Sequence, residues 1–393
     1  MKKAKRLISM LLALCAIPLS GCKDSGITSN NREIEQLCVI QTMGFDYVTG
    51  DIVLSAATGT GSTPKPMRLI AKAPSIASAQ EVLQDYSTSE EMFYAHTSYV
   101  LLGREAAENG IGQYIDYIHR DVHMRPDIPL FVVCDGSASE LVMGSGGSNE
   151  GSEGSSDSSS QGSSPVSDYD ITDALRSLER KLSVRGSSTV TPASEVSASQ
   201  SLNGSALVCA VKAAKASDSV RGAGDALTAL PDGYAIIKDG RLIGHIPEDY
   251  ARGVAIVSSK LSPGYVPLET KSGTVTVQLD SSEFKMKPIM KGGKLEGLSF
   301  DVNVKAALVE AGSHPDDELM NKALAELAES WLRYVMDTEF SLECDFLQLG
   351  SKLEKVSTKH FEGYTSKLQD KLSNLYYIIN VDAEVTRSFD LPL

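Results

Sequence analysis

Cys22 is the residue of this chain whose surroundings most directly suggest chemistry. It follows Leu19, Ser20 and Gly21, and a charged, polar segment comes after it. A cysteine thiolate is the nucleophile that can be alkylated to a thioether. Small residues before it leave room for a peptidase to reach the preceding bond. This arrangement indicates covalent modification and cleavage rather than a place in a buried core.

The residues before Cys22 are typical of a secretory signal peptide. Four cations precede an apolar run of 13 residues, Leu7 to Leu19, whereas a helix needs about 20 residues to cross a hydrocarbon core. The tetrapeptide ending at Cys22 resembles the lipobox of bacterial lipoproteins. We therefore predict that residues 1–21 are removed as a lipoprotein signal peptide and that fatty acyl chains such as palmitate anchor Cys22. The alternative is an ordinary secretion signal with an incidental cysteine.

Other reactive residue types give weaker signals. His119 and His123 lie four residues apart and could clamp a metal on one helical face, but no third ligand is identifiable, and a solvated helix face is the interpretation we prefer. The acids at 316–318 favour the positive end of a helix dipole. Neither a nucleophile elbow nor a Walker spacing occurs. We predict a protein that is not an enzyme and that uses no cofactor or metal.

Glu248, Arg252 and Gly253 form a further candidate group. They come just after a predicted hairpin, and the acid and the base are spaced for an ion pair on one helical turn. The alternative is that the three residues form a surface that contacts a partner. We keep them as a possible partner contact.

Charge and cysteine content restrict the function classes. Removal of residues 1–21 changes the formal net charge from −14 to −18. Such acidity argues against binding nucleic acid or a bare anionic bilayer surface, so the lipid must provide the attachment. Four cysteines of the mature chain lie in apolar settings without any CxxC spacing, which predicts buried thiols: Cys38, Cys134, Cys209 and Cys344.

A Ser/Gly-rich stretch at residues 144–168 marks the clearest interruption. It holds eleven Ser, six Gly and four acids but no base, a composition that cannot bury enough apolar surface to fold. We predict a flexible insert there. This insert lies within a predicted N-terminal domain, residues 22–229. A predicted C-terminal domain, residues 231–393, follows it.

The N-terminal half predicts a mixed α/β domain. Two apolar strands flank the turn signal Thr49-Gly50-Asp51, and a helical pattern spans 75–89. Short apolar strands, "TSYVLLG" and "IPLFVVCDG", alternate with the helical segment "IGQYIDYIHRDVHM". After the insert, Asp170 is a plausible N-cap of an amphipathic helix.

The C-terminal half predicts an antiparallel sheet covered by helices. Asp239-Gly240 suits the type I′ turn of a hairpin, and "TVTVQLD" and "FDVNVKAALV" alternate as half-buried strands do. A long helix over 316–338 is followed by another at about 360–375 and a final strand. The predicted fold class is thus α+β with more than one domain. We expect one face of the long helix to carry Leu319, Ala323, Leu327, Trp331 and Val335.

Four segments, in order, resemble the Ger(x)C-type spore germination lipoproteins. They are the lipobox with Arg32-Glu33-Ile34-Glu35-Gln36-Leu37 and "GFDYVTGD", the run "HTSYVLLGREAAENGI", the run "YAIIKDGRLIGHIPEDYARGVAIVSSK", and the long helix before "FSLECDFLQLG". The resemblance covers nearly the whole mature chain. The third segment is the densest match and contains Glu248, Arg252 and Gly253.

This resemblance implies a non-catalytic C subunit of a nutrient germinant receptor. Such a subunit is held by lipid on the outer face of the spore inner membrane, where it works with two integral membrane subunits, A and B. It would need no cofactor and no nucleic acid. The family's mixed α/β domains agree with the elements predicted above.

Two other classes remain open at this point. A solute-binding lipoprotein of a membrane transporter would need two α/β lobes of similar size around a cleft, and the predicted C-terminal half argues against that. An extracytoplasmic hydrolase would need a catalytic constellation that the sequence does not offer.

Overall fold

The structure of the protein is a computed structural model. It describes residues 37–59, 67–87, 91–144, 170–185, 187–215, 227–271, 273–311 and 316–387. Cys22 and nearly all of the Ser/Gly-rich stretch lie outside the described residues.

The larger of two sheets combines parallel and antiparallel strands. In the described residues it contains β1 Leu37–Val48, β2 Asp51–Thr58, β3 Arg68–Ala73, β4 Glu91–Phe93, β5 Tyr99–Gly103, β6 Pro129–Val133, β7 Thr191–Pro192, β8 Ser205–Lys215, β9 Leu227–Lys238 and β10 Arg241–Ile246. The order is β10-β9-β8-β6-β5-β1-β2-β3, with β4 beside β1 and β7 beside β6. The central strands β1, β5, β6 and β8 run parallel. Parallel neighbours need crossover connections, and helices supply them here.

Helices cover both faces of this sheet. They are α1 Ile76–Tyr86, α2 Arg104–Asn109, α3 Gly112–Arg120, α4 Ala138–Met143, α5 Ile171–Arg185 and α6 Ala193–Asn203. In β5, Val100 and Leu102 join one buried cluster with α1, α2, α3 and α6. Tyr99 and Leu101 join another cluster with α4 and α5. This alternation explains why β5 is apolar throughout, since a strand buried on both sides has no solvent face.

The two predicted hairpins are confirmed. The turn between β1 and β2 has Thr49 at φ 53° and Gly50 at φ 96°. The turn between β9 and β10 has Asp239 at φ 49° and Gly240 at φ 76°. Positive φ at both central residues is the requirement of a type I′ turn, and glycine adopts it without a steric cost. Asp170 also accepts from the Thr172 amide at 2.8 Å, as the predicted cap of α5 requires.

The smaller sheet has the order β11-β12-β13-β14. Its strands are β11 Gly264–Thr270, β12 Gly273–Lys291, β13 Lys294–Ala311 and β14 Tyr376–Arg387. The α+β class is confirmed, with one correction. β14 runs parallel to β13, not antiparallel, because the helical segment between them carries the chain back to the end of the sheet from which β13 starts.

The helices of this half are α7 Ala251–Val257, α8 Asp317–Ser341, α9 Leu349–Val356, α10 Thr358–Phe361 and α11 Tyr364–Lys367. Three-residue and six-residue 3₁₀ segments occur at Glu248–Tyr250 and Gln369–Asn374. The prediction of a single helix at about 360–375 was wrong. Gly363 adopts a left-handed φ of 78° and ends the helical conformation between α10 and α11.

The buried face of α8 also differs in part from the prediction. Trp331 and Val335 are buried as expected, but Leu319, Ala323 and Leu327 are only half-buried. The first three turns bury instead the residues one position further along the chain: Met320, Leu324 and Ala328. A helix stripe at strict i, i+4 spacing drifts around the axis because 3.6 residues make one turn.

Strand β9 contributes to the cores of both halves. Ala235 and Ile237 lie in the cluster between the larger sheet and its helices. Tyr234 and Ile236 lie in the core that the smaller sheet shares with α7 and α8. The two halves are therefore joined through one continuous strand. The division at residues 229–231 stays a prediction.

Candidate functional site

The sequence-predicted residues at 248–253 lie where the two halves of the chain meet. The chain leaves β10, forms the 3₁₀ turn and enters α7, which is enclosed between α8 and the segment after α5. Arg252 and Glu248 are half-buried, and Gly253 is buried. A partner contact at Glu248, Arg252 and Gly253 stays a prediction. Of these three residues, Glu248 and Arg252 could meet a partner through their side chains, because Gly253 is buried.

Glu248 and Arg252 each bind the earlier half of the chain instead of each other. Glu248 Oε2 accepts from Ser188 Oγ at 3.1 Å. Arg252 Nη2 donates to the Arg185 carbonyl at 3.2 Å. The ion pair that their spacing suggested is not formed, although Glu248 is close enough to raise the pKa of Arg252 electrostatically. The two charges thus fix the end of α5 against the start of α7.

The Arg252 guanidinium lies in a partly apolar setting. Its carbon is 5.5 Å from the centre of the Trp331 ring, a cation–π distance. Its Nε is buried and donates to no described residue. Burial lowers the pKa of Arg252, and the charge of Glu248 opposes that shift. Next to it, Tyr250 and Tyr334 stack with ring centres 3.9 Å apart, so an aromatic pair joins the turn before α7 to α8.

Gly253 is required by the close approach of α7 to α8. A Cβ at this position would lie 2.6 Å from the Trp331 carbonyl oxygen and 2.9 Å from Val335 Cγ2. The backbone oxygen cannot rotate away as a flexible side chain would. Gly253, one of the three residues predicted as a possible partner contact, is therefore also required for the packing of α7 on α8.

We expect Gly253→Ala to lower the free energy of unfolding by about 1–3 kcal/mol, because overpacking forces the two helices apart. Urea denaturation of the purified protein measures this. Gly112→Ala is the matched control, since a Cβ there meets nothing within 4 Å and alanine favours a helix over glycine. Equal midpoints for the two variants would contradict the close approach.

Two fully buried carboxyl groups lie at the end of α8. Glu339 Oε2 accepts from the Leu347 amide at 2.9 Å, while Glu339 Oε1 is buried and accepts from no described residue. Asp345 accepts from the amides of Leu349 at 2.5 Å and Gly350 at 2.9 Å. These are the first amides of α9, so Asp345 caps that helix.

Burial decides the protonation of this pair. It raises the pKa of Glu339 well above its usual range, and the nearby Asp345 charge adds to the effect. Burial also raises the pKa of Asp345, to about 6, against the opposing amides of α9. Lys352 lies close by, and burial lowers its pKa. Two backbone amides stabilise the ionised form of Asp345, whereas Glu339 accepts from one amide, so a proton shared by the pair is favoured on Glu339.

The same turn holds the two halves together through backbone oxygens. The Asp345 carbonyl accepts from Asn203 Nδ2 at 2.7 Å and from Ser205 Oγ at 2.8 Å. Lys238 Nζ donates to the Glu343 carbonyl at 2.8 Å. Asn203, Ser205 and Lys238 belong to the segments α6, β8 and β9 of the larger sheet. The carboxyl pair therefore shapes the loop on which the other half docks.

The other sequence-predicted features have simpler roles. Helix α3 ends at Arg120, so His119 and His123 do not share a helical face. Asp316 caps α8 by accepting from the Glu318 amide at 3.1 Å. Cys38, Cys134, Cys209 and Cys344 are all buried, as predicted. Among the described residues, no group of three or more His, Cys, Asp or Glu could hold a metal ion.

Cys22 lies outside the described residues, so its modification stays a prediction. In the part of the chain that the structure describes, no helix is long and apolar enough to cross a membrane. The site that the structure does show is a junction between two folded units. Its groups position loops and helices, and none of them is arranged as a nucleophile with a neighbouring base.

Two family models match the chain, one in each half. Residues 30–152 match the spore germination protein N-terminal domain. Residues 232–389 match the model described as spore germination B3/GerAC like, C-terminal. Together they span most of the chain, and both describe a spore germination protein. The chain belongs to the Ger(x)C spore germination family, as its sequence motifs suggested.

The fold agrees with that membership. The crystal structure of the GerBC protein matches with a TM-score of 0.51 and 16% sequence identity, and the match covers 87% of this chain and 96% of that one. At this identity the likeness concerns the fold alone. Comparison with curated proteins gave no match.

Proposed function

We propose that this protein is the lipid-anchored, outward-facing C subunit of a spore nutrient germinant receptor. It has no catalytic role of its own and works beside the integral membrane subunits A and B. The observation that carries the proposal is the match of both halves to spore germination domains in a chain whose Cys22 ends a lipobox. The extracytoplasmic face of the spore inner membrane is the proposed location.

The structure supports a role in binding and positioning rather than turnover. Two sheets with separate cores are fixed to each other by β9, by Asp345 and by Arg252. A rigid body of this kind could present one surface to membrane subunits while acyl chains at Cys22 keep it at the bilayer. The family models give no support to the alternative of a solute-binding lipoprotein of a transporter.

The lipid anchor is tested by replacing Cys22. We expect palmitate to be incorporated into the wild-type protein and into Cys15→Ala, but not into Cys22→Ala, because only the lipobox thiol is alkylated. Cys15 is a matched control, since it lies in the apolar run of the same signal peptide. Radiolabelled palmitate followed by gel autoradiography measures the difference. Equal labelling of all three proteins would reject the anchor.

The same variants test the function in spores. Spores that lack this chain and every other copy of its family should fail to germinate with nutrients yet respond to dodecylamine or calcium dipicolinate. Complementation with wild type or Cys15→Ala should restore the nutrient response, whereas Cys22→Ala should restore little of it, because an unanchored chain is diluted away from its partners. A normal nutrient response without the chain would disprove the receptor assignment.

A further inference from the structure

A cavity of about 300 Å³ opens at the junction of the two halves. One wall comes from the segment Thr189–Thr191 and from α6, which belong to the earlier half. The other wall comes from the loop after α7 and from α9. Pockets for small ligands typically start at about this volume, and they occur preferentially between domains. At about 30 Å³ for each water, the space suits a molecule of roughly ten heavy atoms.

The lining of this cavity contains more basic than acidic side chains. Its lining includes three lysines, Lys260, Lys352 and Lys355, and one acid, Glu195. This local excess of cations occurs in a protein with a formal net charge of −14. A cleft lined by one sign of charge concentrates ions of the opposite sign. The cavity thus differs in sign from the protein as a whole.

The three lysines differ in the contacts that they make with other residues of the protein. Lys260 Nζ lies 3.6 Å from Glu195 Oε1, and Lys352 Nζ donates to the Leu347 carbonyl at 2.5 Å. Lys355 is exposed and makes no hydrogen bond or ion pair with a described residue. Its charge also lowers the pKa of the neighbouring Lys352. An anion bound at Lys355 would reduce that repulsion.

The remaining lining completes a site for an organic anion. Ser199, Ser258 and Ser351 supply hydroxyl donors near the lysines. Tyr234 and Phe346 contribute aromatic surface to the lining, and the Tyr234 hydroxyl accepts from the Thr189 amide at 2.7 Å. A lining that combines charged and aromatic groups is typical of pockets that orient a small amphipathic ligand.

We propose that this cavity binds a small organic anion, with its carboxylate or phosphate at Lys355 and Lys260 and its apolar part on Tyr234 and Phe346. Such a ligand touches both halves of the chain. Binding therefore stabilises their junction in addition to occupying the cavity. The site does not depend on the receptor assignment, since its chemistry is contained in this chain.

Isothermal titration of the full-length, detergent-solubilised protein tests the site with four probes. Benzoate and phenyl phosphate carry the two anionic groups on an apolar ring, benzamide is the neutral counterpart of benzoate, and inorganic phosphate lacks the ring. We expect at least one of the two ring-bearing anions to bind. A few charged contacts correspond to a dissociation constant below about 10 mM. Benzamide and inorganic phosphate should bind at least about tenfold more weakly.

Variants locate the binding. Lys355→Gln and Lys260→Gln should each lower the affinity for the anion by about tenfold, and added salt should lower it further. Lys359→Gln is the matched control, because Lys359 is an exposed lysine close to α9 that does not line the cavity, and its affinity should equal that of wild type. The proposal is overturned if neither ring-bearing anion binds, if benzamide or inorganic phosphate binds as tightly as the tighter of the two anions, or if either lysine variant retains wild-type affinity.

Discussion

Replacing Asp345 by alanine is expected to lower the free energy of unfolding by about 3–5 kcal/mol at pH 7.5. The substitution removes the acceptor of two buried amides, Leu349 and Gly350. It also removes one of the two acids, Glu339 and Asp345, whose charges favour the protonated form of the largely buried Lys352. Unpaired donors and an unpaired charge in a protein interior each cost more than the net value of the contact that was lost.

The position of Asp345 extends the effect beyond its own helix. Its carbonyl carries two hydrogen bonds from the larger sheet, so a disordered turn also weakens the junction between the halves. We expect Asp345→Ala to show reduced protection of α9 amides in hydrogen exchange in addition to its lower urea midpoint.

Asp382→Ala is the control for this prediction. Asp382 is an exposed aspartate on β14, and surface substitutions of this kind usually change stability by no more than about 0.5 kcal/mol. Asp345→Asn should fall between the two, because one amide oxygen can still accept from one backbone N–H. A urea midpoint of Asp345→Ala within error of the control would mean that the carboxylate does not support this turn.

Local patterns predicted the elements of the fold well. Both hairpin turns follow from a glycine at the second central position, Gly50 or Gly240, because glycine adopts positive φ without a steric cost. The apolar strand β5 and the amphipathic helix α5 follow from their hydrophobic spacing. Each of these signals depends on residues that are close in the sequence.

The junction could not be predicted in the same way. The hydrogen bond from Asn203 to the Asp345 carbonyl joins residues 142 positions apart, and neither sequence neighbourhood indicates the other. The apolar run in β9 predicted a strand but did not indicate that its two faces enter different cores. Helix α6 was also missed, because its Ser- and Ala-rich sequence has few apolar residues to mark a face.

One signal for the buried carboxyl pair was nevertheless present. The predicted apolar stripe of α8 runs through Trp331 and Val335, and the next position at i+4 is Glu339. A carboxyl group at the next position of an apolar stripe either marks the end of the helix or is itself buried. Because the helix was expected to end at residue 338, the first interpretation concealed the second.

Glu339→Gln is expected to flatten the pH dependence of stability. Burial raises the pKa of Glu339 in the folded protein, so the native state keeps its proton at pH values where the unfolded chain has lost it. The native state then binds more protons, and stability falls as pH rises from about 4.5 towards the raised pKa. One such group contributes a slope of about 1.4 kcal/mol per pH unit. Glutamine is neutral at every pH and removes this slope.

Other groups at the junction can be separated from this effect. Asp345, with its pKa raised to about 6, contributes the same sign of slope only below that pH. Hydrogen bonds that the His245 ring donates to Asp232 raise the pKa of His245 against burial, so His245 also loses stabilisation as pH rises, but it does so in both proteins. The difference between wild type and Glu339→Gln from pH 6 to 7 therefore reports Glu339.

Thermal and urea denaturation at pH 5, 6, 7 and 8 (about one-unit steps across this range) measures the slope. Glu326→Gln is the matched control on the same helix, since Glu326 is exposed and pairs only loosely with Lys322 at 3.8 Å. It should keep the wild-type slope, because its side chain is exposed to solvent in the folded protein. If Glu339→Gln also kept that slope, Glu339 would have to be ionised in the folded protein. Its carboxylate would then need a buried cation, and Lys352 would have to serve both acids at once.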